Sequence, residues 1–473
     1  MKIYNSLTRR VEEFVPYEKG KVKMYTCGPT VYHFAHIGNL RTYIMEDVLE
    51  KTLRYVGYEV VRAMNITDVG HLTSDGDTGD DKMLVGAKRE HKTVLEIAKF
   101  YTDKFREDCE SLNLKWPQIV VPATSCIDTY FEIIKTLLDK GYAYKSEGNI
   151  YFDVSKLEEY YVLTNQKSDD MVIGARDDVS HDEGKRNQQD FVLWFTKSKF
   201  DNQELKWDSP WGVGYPGWHI ECSGISYKFL GEHLDIHCGG VDNKFPHHTN
   251  EIAQSESFLG HKWCKYWVHG EHLNTTDGKM SKSKGEFLTI SLLKEKGYIP
   301  EIYKLFCLQA HYRRALTFSW EGMDSAKGAY VKLIKRVSEL KPNGLEVELE
   351  KAKTFDDAFK TALTNDLNTS SAITTLFDVL KSDLNDSTKA YLIRKFDTVL
   401  GLALDEALDG THEYLQSNVD AELQTYIDKK IQERKDAKSN KNYALADNIR
   451  AELLEKGIVL IDTPNGTNYE IKK

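Results

Sequence analysis

The chain has 473 residues, a formal net charge of −10 and 29% charged residues. This length predicts two to four domains with ample hydrophobic core, and the negative charge argues against indiscriminate nucleic-acid binding while permitting a local basic groove. No apolar run approaches the length of a membrane span, and the N-terminus has no signal-peptide core. Seven cysteines without disulfide-like spacing predict reduced thiols and a cytoplasmic location.

The first predicted unit is a strand, a loop of small residues, a helix and a second strand. Residues 22–27 have a strand-like pattern, and apolar residues recur at helical spacing from Leu40 to Val56. Gly57 is suited to cap the helix, and residues 60–64 predict the next, parallel strand. In such a βαβ unit the loop lies at a helix N-terminus, where phosphate groups bind.

The following elements alternate between helices, strands and polar loops. Residues 70–82 form a glycine-rich polar loop, residues 90–112 and 127–141 predict helices, and residues 149–154 predict a strand. Trp, Gly and His are concentrated in residues 207–260, which indicates a site more than a plain scaffold. Residues 302–400 predict a helical bundle, and helices followed by a hairpin over 458–471 complete the chain.

Two segments have the character of phosphate-binding sites. In the first, Gly38 permits close approach of the backbone to a phosphate, and the ring of His36 can donate a hydrogen bond to it. In the second, a turn at Asp277-Gly278 is followed by Lys279-Met-Ser-Lys282-Ser283, whose two lysines suit the charge on a departing pyrophosphate. Taken singly, the alternatives are a surface histidine and a solvated basic loop, but their occurrence together favours ATP chemistry.

A candidate zinc set is formed by Cys27, Cys222, His247 and Glu251. His247 and Glu251 are separated by one helical turn, so they share a helix face. No C-x-x-C pair anchors the set, and buried core cysteines with a structural histidine are the alternative. His248 lies on a different face and is assigned a supporting or structural role. With the two phosphate segments, this set predicts that the protein activates a substrate with ATP beside a metal that can bind a thiol.

Basic residues late in the chain are candidate contacts for an RNA backbone. Arg313 and Arg314 are adjacent, and a longer run comprises Lys429, Lys430, Arg434, Lys435, Lys438 and Lys441. Because Glu433 and Asp436 interrupt the longer run, a solvated helix face is the alternative.

Taken together, the motifs resemble class I aminoacyl-tRNA synthetases, and among them the cysteinyl-tRNA synthetase family. The resemblance spans nearly the whole chain and is carried by Met24-Tyr-Thr-Cys27-Gly-Pro-Thr-Val-Tyr, His36-Ile-Gly38, Asn65-Ile-Thr-Asp68, Lys185-Arg-Asn, Asp190-Phe-Val-Leu-Trp194, Pro216-Gly-Trp-His-Ile-Glu-Cys222, Asp235-Ile-His237, Phe245-Pro-His-His248, Asn250-Glu-Ile-Ala-Gln-Ser255, Lys279-Met-Ser-Lys-Ser283 and Gly457-Ile-Val-Leu.

The resemblance implies an α/β fold: a Rossmann-like doubly wound catalytic domain with an inserted connective domain, then an α-helical bundle and a small mixed C-terminal domain. The implied domains are the catalytic domain in two halves (1–127 and 207–265, the second with the zinc site), the connective insertion (128–206), the signature loop with a stem-contact region (266–315), the anticodon-binding bundle (316–412) and a C-terminal tRNA-recognition domain (413–473).

The family's site residues transfer to matching positions. The resemblance implies one zinc per chain on Cys27, Cys222, His247 and Glu251, and contacts to the substrate cysteine from Thr67, Trp218, His219 and Asp242. It implies ATP contacts, with Mg²⁺ bound to the nucleotide, from His36, Gly38, Asn39 and Lys282, and catalytic roles for His36, Lys279 and Lys282.

The activity implied is ATP-dependent ligation of L-cysteine to tRNA(Cys) by a monomer that binds no membrane. Two alternatives stay open: a ligase that transfers cysteine to an amino sugar, and a catalytically silent RNA-binding paralogue. The chain departs from the family pattern at Asn39, where histidine is common, at Cys238, where glycine is usual, and in an insertion at 70–79. Cys238 is either an extra thiol near the metal or a small apolar substitute.

Overall fold

The computed structural model describes residues 1–69, 82–164, 184–197, 205–275, 278–279, 287–342, 344–440, 442–463 and 466–471. The chain divides into two compact units, one of residues 1–333 with 341–402 and the other of residues 334–340 with 403–473. Among the described residues, no helix combines the length and apolar character that crossing a bilayer requires.

The strands before residue 334 are β1 (Lys2–Asn5), β2 (Arg10–Glu13), β3 (Lys21–Thr26), β4 (Glu59–Ile66), β5 (Ile119–Pro122), β6 (Ala143–Ser146), β7 (Asn149–Phe152), β8 (Phe191–Phe195), β9 (Tyr215–Pro216), β10 (Leu234–Gly240), β11 (Cys264–Gly270), β12 (Leu273–Thr275), β13 (Gly278–Lys279) and β14 (Leu316–Phe318). The helices up to residue 402 are α1 (Ile37–Tyr55), α2 (Lys82–Glu90), α3 (Val94–Ser111), α4 (Ile127–Asp139), α5 (Trp218–Leu230), α6 (His247–Leu259), α7 (Ile290–Glu295), α8 (Pro300–Leu308), α9 (Trp320–Ser338), α10 (Leu349–Thr364), α11 (Thr369–Lys381) and α12 (Asp386–Leu400).

A five-stranded parallel sheet, in the order β11-β10-β3-β4-β5, forms the centre of the first unit. The chain runs outward from β3 through β4 to β5, and later fills the other side of β3 with β10 and β11. The order therefore reverses between β3 and β10, and ligands of doubly wound sheets bind at such a switch point. The predicted βαβ unit and Rossmann-like class are confirmed.

Helix α1 packs on this sheet through buried apolar residues that include Leu40, Ile44 and Leu53. Its buried face is not purely apolar, because Glu46 and Glu50 contact Arg62 of β4, at 3.0 and 3.5 Å. Buried polar groups need hydrogen-bond partners, so this network fixes how α1 lies against β4.

Three smaller sheets complete the strands of this unit, the first of which is the antiparallel pair of β1 with β2. Strands β6 to β9 form an antiparallel sheet in sequence order, with a small core that includes Tyr144, Tyr151, Phe195 and Tyr215. Strands β13, β12 and β14 form a three-stranded sheet, in which β12 pairs antiparallel with β13 and parallel with β14. The strand predicted at 149–154 corresponds to β7.

Helices dominate residues 302–400, as predicted, with the short strand β14 among them. The rings of Phe359 and Phe396 stack with centroids 3.9 Å apart in the core between α10 and α12. Tyr55 of α1 packs on Phe359, and Asn365 forms a β-bridge with Lys2. Helices α10 to α12 therefore share a core with α1 within the first unit.

The second unit contains α13 (Leu404–Asp409), α14 (Glu413–Ser439), α15 (Tyr443–Glu455), β15 (Ile458–Thr463) and β16 (Gly466–Ile471). The two strands pair antiparallel, with Ile458 opposite Ile471, which confirms the predicted hairpin. Its core contains Ile427, Ile449, Leu453, Ile458 and Leu460. This core is small, with five buried apolar residues among those described.

Candidate metal and nucleotide site

Three separate elements bring together the four residues of the predicted zinc set. Cys27 directly follows β3, Cys222 lies on α5, and His247 and Glu251 lie on the first turns of α6. One donor atom from each residue lies within 4.8 Å of the others. The Cys27 and Cys222 Sγ atoms are 3.9 Å apart, and His247 Nε2 is 3.0 Å from Glu251 Oε1.

The donor set fits a tetrahedral metal ion. Metal–ligand bonds of 2.0–2.3 Å place neighbouring donors of a tetrahedron about 3.3–3.8 Å apart. The 4.0 Å from Cys27 Sγ to Glu251 Oε1 and the 3.9 Å between the two sulfurs lie just above that range, and the 3.0 Å between His247 Nε2 and Glu251 Oε1 lies just below it. Cys222, His247 and Glu251 are fully buried and Cys27 is partly exposed, so the cluster is reached from the Cys27 side.

The charges within the cluster favour a bound cation. Although burial opposes ionisation, the hydrogen bond from Cys27 and the charge of His247 lower the pKa of the Cys222 thiol to about 6. Burial is likewise outweighed at Glu251, where His237 and His247 lower the carboxyl pKa to about 2. Burial raises the pKa of Cys27 well above its ordinary value, and Cys222 and Glu251 add to this. Excess negative charge in a buried pocket is stabilised when a metal replaces the protons.

A second set of donors, not predicted from the sequence, shares the same site. His237 of β10 and His248 of α6 form with Cys27 and Glu251 another group whose donor atoms lie within 4.8 Å. His248 Nε2 is 3.3 Å from Cys27 Sγ, and His237 Nε2 is 2.9 Å from Glu251 Oε2. The sequence carried a signal for both, in Asp235-Ile-His237 and in the doubled histidine, but not their convergence.

Neutral histidines surround the cluster and orient it. Burial, followed by the charges of neighbouring histidines, lowers the pKa of His219 and of His248 well below the ordinary value. His219 Nδ1 lies 3.0 Å from His247 Nδ1, and His248 Nδ1 lies 2.8 Å from His269 Nε2. A neutral ring can accept a hydrogen bond, so these contacts fix which nitrogen of His247 and of His248 faces the cluster.

Cys238 does not belong to the cluster. Successive side chains of a strand point to opposite faces, and its neighbour His237 faces Glu251. Cys238 is fully buried on the other face, where burial raises its thiol pKa and the nearest charges are Glu46 and Arg62. The structure therefore supports a small buried substitute and not an extra thiol for the metal.

Beside the cluster lies a cavity of about 300 Å³ between the residues after β3 and those after β10. It extends from the partly exposed thiol of Cys27 to the N-terminus of α1, and its lining also includes His36, Asn39, Trp218, Gly240 and Asp242. Thus several residues predicted separately for substrate, nucleotide and metal face one space at the switch point of the sheet.

The start of α1 is the turn for which the sequence predicts phosphate binding. The ring of His36 caps the helix by accepting from Asn39 N–H, at 3.1 Å. Gly38 allows this, because a Cβ there would lie 2.9 Å from His36 Nδ1. Asn39, which stands where histidine is common, lines the cavity. Its main-chain N–H is used by the cap, so only its side-chain amide can reach a ligand.

A chain of buried hydrogen bonds links the loop after Cys27 to α5. The side-chain Oδ1 of Asn65 accepts from Gly28 N–H at 2.7 Å, and its Nδ2 donates to the Thr67 hydroxyl at 3.0 Å. That hydroxyl donates to Glu221 Oε2 at 2.8 Å, next to the ligand candidate Cys222. Gly28 permits this close approach, because a Cβ there would lie 1.6 Å from the Asn65 main-chain oxygen. Asn65 and Glu221 are site residues that the sequence did not single out.

The other predicted substrate residues lie around the same space. The ring of Trp218 stacks on His247 with centroids 4.1 Å apart, so it covers one side of the cluster. Asp242 follows β10 and lies close to Gly240, where a Cβ would meet its Oδ1 at 2.5 Å. His219 is buried behind His247.

Some predicted features fall outside the described residues. These are Lys282, Ser283 and the 70–79 insertion, and of Lys279 only the main chain is described, paired with Asn274 in β13.

The basic residues differ in how accessible they are. Arg313 is held by Asp366 at 2.6 Å, and Arg434 is buried. Lys430 pairs with Glu452 at 2.9 Å, whereas Lys429 and Lys435 are exposed, with Lys429 4.0 Å from Glu433. The run is therefore only partly free for a partner.

Comparison with known proteins identifies the family. The profile of the family described as "tRNA synthetases class I (C) catalytic domain" matches residues 13–328. The chain is 45% identical to the cysteine–tRNA ligase of Treponema denticola and 42% identical to that of Clostridioides difficile. Each alignment covers 99% of this chain, with 99% of the first relative and 100% of the second.

A solved structure with a similar fold is the Mycobacterium tuberculosis methionyl-tRNA synthetase bound by methionyl-adenylate. The TM-score is 0.53 at 14% identity, covering 82% of this chain and 92% of that one, which supports the shared class I fold alone. Because the family profile matches most of the chain and relatives match all of it, the chain belongs to the cysteine–tRNA ligase family of class I aminoacyl-tRNA synthetases.

Proposed function

We propose that this chain ligates L-cysteine to tRNA(Cys) in two steps driven by ATP. In the first, the cysteine carboxylate attacks the α-phosphorus of ATP, so that cysteinyl-adenylate forms and pyrophosphate leaves. In the second, a hydroxyl of the terminal adenosine of the tRNA attacks the activated carbonyl and AMP leaves. The observation that carries the proposal is one cavity that extends from a cluster of two cysteines, a histidine and a glutamate to the N-terminus of α1.

We infer that the cluster holds one zinc ion on Cys27, Cys222, His247 and Glu251. Thiolate and imidazole ligands suit zinc, and the depressed pKa values of Cys222 and Glu251 favour a cation there. When bound, zinc supplies a Lewis acid on which a thiol loses its proton. A hydroxyl is a much weaker ligand for such an ion. His237 and His219 hold Glu251 and His247 in position through contacts of 2.9 and 3.0 Å.

Selection against serine follows from this chemistry. Packing alone separates substrates that differ by one atom poorly, whereas a site that needs a particular polar group rejects analogues without it strongly. We assign Thr67, Trp218, His219 and Asp242 to positions around the substrate's ammonium and carboxylate groups. The Thr67 hydroxyl donates its hydrogen to Glu221, so an oxygen lone pair remains to accept a hydrogen bond from an ammonium group.

We place the nucleotide between α1 and the Lys279–Ser283 segment. His36, Gly38 and Asn39 would approach the phosphates of Mg²⁺-bound ATP, because a helix N-terminus and its cap favour negative charge. Lys279 and Lys282 would neutralise the charge that develops on pyrophosphate as it leaves. Little side-chain proton transfer is required, so placement of the reacting groups accounts for most of the rate.

The tRNA would extend over the later parts of the chain. We propose a connective domain at 128–206, a signature-loop and stem-contact region at 266–315, an anticodon-binding bundle at 316–412 and a C-terminal recognition domain at 413–473, flanking a catalytic domain of 1–127 and 207–265. We further propose that the enzyme is a cytoplasmic monomer. Exposed Lys429 and Lys435 on α14 are available to phosphates.

Two assays test the proposal against its alternatives. Cysteine-dependent exchange of labelled pyrophosphate into ATP should occur with the purified protein, and serine should support it poorly. A silent RNA-binding paralogue would show no exchange. Adding tRNA(Cys) should then give cysteinyl-tRNA, whereas a ligase acting on an amino sugar would exchange pyrophosphate but leave the tRNA uncharged. Metal analysis of the active protein should find about one zinc per chain.

A further inference from the structure

Arg41 makes contacts that the reaction described above does not use. It lies on the second turn of α1, close after His36, and is buried. Its Nη1 donates to the main-chain oxygens of Glu271 at 2.7 Å and of His272 at 2.5 Å, and its Nη2 donates to that of Arg314 at 2.6 Å. A buried guanidinium that binds three carbonyls defines a fixed geometry, because its donors form a rigid planar fork.

The three carbonyls belong to the base of one small sheet. Glu271 and His272 directly precede β12, and Arg314 precedes β14, which pairs with β12. The sheet is closed at the same point by Leu316 N–H, which donates to His272 O at 3.0 Å. On its other side β12 pairs with β13, where Asn274 lies opposite Lys279. One side chain of α1 thus binds the bases of β12 and β14, and β12 pairs with the strand that contains Lys279.

The first turn of α1 contacts the far side of the same segment. Ile37 N–H donates to Leu288 O at 2.9 Å, and the Ile37 carbonyl accepts from the Tyr303 hydroxyl at 2.6 Å. The ring of Phe287 lies 6.0 Å from that of His36, centroid to centroid. Residues on both sides of the 276–286 segment are therefore tied to the helix that begins at His36.

We propose that Arg41 is a positioning residue that sets the place of strand β13, and with it Lys279, relative to the phosphate-binding turn at His36. It touches no substrate; it acts through the main chain of β12 and β14. The inference rests on the proposed function, since the step it serves is adenylate formation. Interactions made mainly in the transition state change kcat more than ground-state binding, and small misplacement of such groups costs large factors in rate.

The test compares Arg41→Lys and Arg41→Met with Arg54→Met. Arg54 lies on the same helix and also donates to a main-chain oxygen, that of Val60 at 2.6 Å, but it is remote from β12. In cysteine-dependent pyrophosphate exchange, both Arg41 variants should lose about 10- to 100-fold in kcat with the KM for cysteine within about twofold of wild type. Arg41→Lys should not rescue, because the guanidinium reaches the three carbonyls from two separate nitrogens of a planar fork, whereas a lysine ammonium donates from a single nitrogen. Arg54→Met should keep wild-type kcat.

Hydrogen–deuterium exchange supplies a readout independent of activity. Peptides covering 271–275 and 314–318 should exchange faster in Arg41→Lys, while those covering β3 and β4 stay unchanged. Wild-type kcat in Arg41→Lys, a kcat loss without faster exchange at these strands, or an equal loss in Arg54→Met would each overturn the assignment. If Arg41→Met does not fold, the Arg41→Lys measurements decide. Absence of exchange activity in the wild type would reject the proposed function, whereas the deuterium comparison would still decide whether Arg41 holds the strands.

Discussion

Substitution of Thr67 by valine removes one hydroxyl group of the proposed substrate site. Valine has nearly the shape of threonine but lacks its hydroxyl, which accepts from Asn65 at 3.0 Å and donates to Glu221 at 2.8 Å. Thr67 is buried, and so are both partners. The substitution therefore removes an acceptor for the substrate ammonium and leaves a buried amide and a buried carboxyl group without their bonds.

The structure gives the scale of two separate effects. A hydrogen bond to a charged group contributes about 1.5–3 kcal/mol, so loss of the ammonium contact should raise the KM for cysteine about 10- to 150-fold. Each orphaned buried group costs about 1–3 kcal/mol, so the free energy of unfolding should fall by about 2–6 kcal/mol. The loss should cost more at Glu221 than at Asn65, because the other carboxyl oxygen of Glu221 has no hydrogen-bond partner.

Thr67→Ser is the matched control, since it keeps the hydroxyl and removes only a methyl group. Steady-state pyrophosphate exchange with varied cysteine, and separately with varied ATP, should show a large rise in the KM for cysteine in Thr67→Val alone, with the KM for ATP little changed. Thermal unfolding should follow the same order. An unchanged KM for cysteine in Thr67→Val, or an equal rise in Thr67→Ser, would refute the role assigned to the hydroxyl.

Three further outcomes are expected. Lys282→Ala should slow adenylate formation, measured by pyrophosphate exchange, while the KM for cysteine stays nearly unchanged; an unchanged rate would contradict the role of that lysine. Lys435→Glu should weaken tRNA charging and make its salt dependence shallower without affecting exchange, whereas Lys430→Gln, whose ammonium is already paired with Glu452, should have less effect; the reverse order would be contrary evidence. Burial raises the pKa of Glu46 to about 8, so the stability that its protonated form contributes should be present below about pH 4.5 and lost as pH rises through 8. The melting temperature of Glu46→Gln should therefore rise relative to that of wild type between about pH 5 and 8.5. A difference that stays constant over this range would count against the shift.

Local sequence patterns predicted the parts of the fold that short-range physics determines. The apolar spacing after Leu40 and the strand pattern before Cys27 gave α1 and β3, because helix and strand periodicities differ. The hairpin at the end of the second unit followed from turn residues between two apolar runs. The same patterns could not show that α10 to α12 pack on α1, since a bundle and a separate domain have the same periodicity.

The site was predictable where residue type and spacing carry the chemistry. Cys27, Cys222, His247 and Glu251 converge as expected from their donor types, together with the family resemblance. His237 and His248 were missed as possible donors because their approach to Glu251 and Cys27 depends on the parallel pairing of β10 with β3. Arg41 was missed because its partners are main-chain oxygens, which leave no signature in a sequence.

The path of the chain after β3 explains how recognition of the substrate thiol and activation of its carboxylate can be coupled. Cys27 directly follows β3, at the position where the strand order reverses, and the same loop runs on to the cap at His36. Gly28 is pinned to Asn65, whose amide also sets the Thr67 hydroxyl. In the proposed complex, a substrate whose sulfur binds the metal beside Cys27 would thereby be held relative to Thr67 and to the start of α1. A substrate without the sulfur contact, such as serine, would keep only the ammonium contact. Its carboxylate would then sample positions away from the α-phosphorus. Selectivity should therefore appear in kcat as well as in KM when serine replaces cysteine.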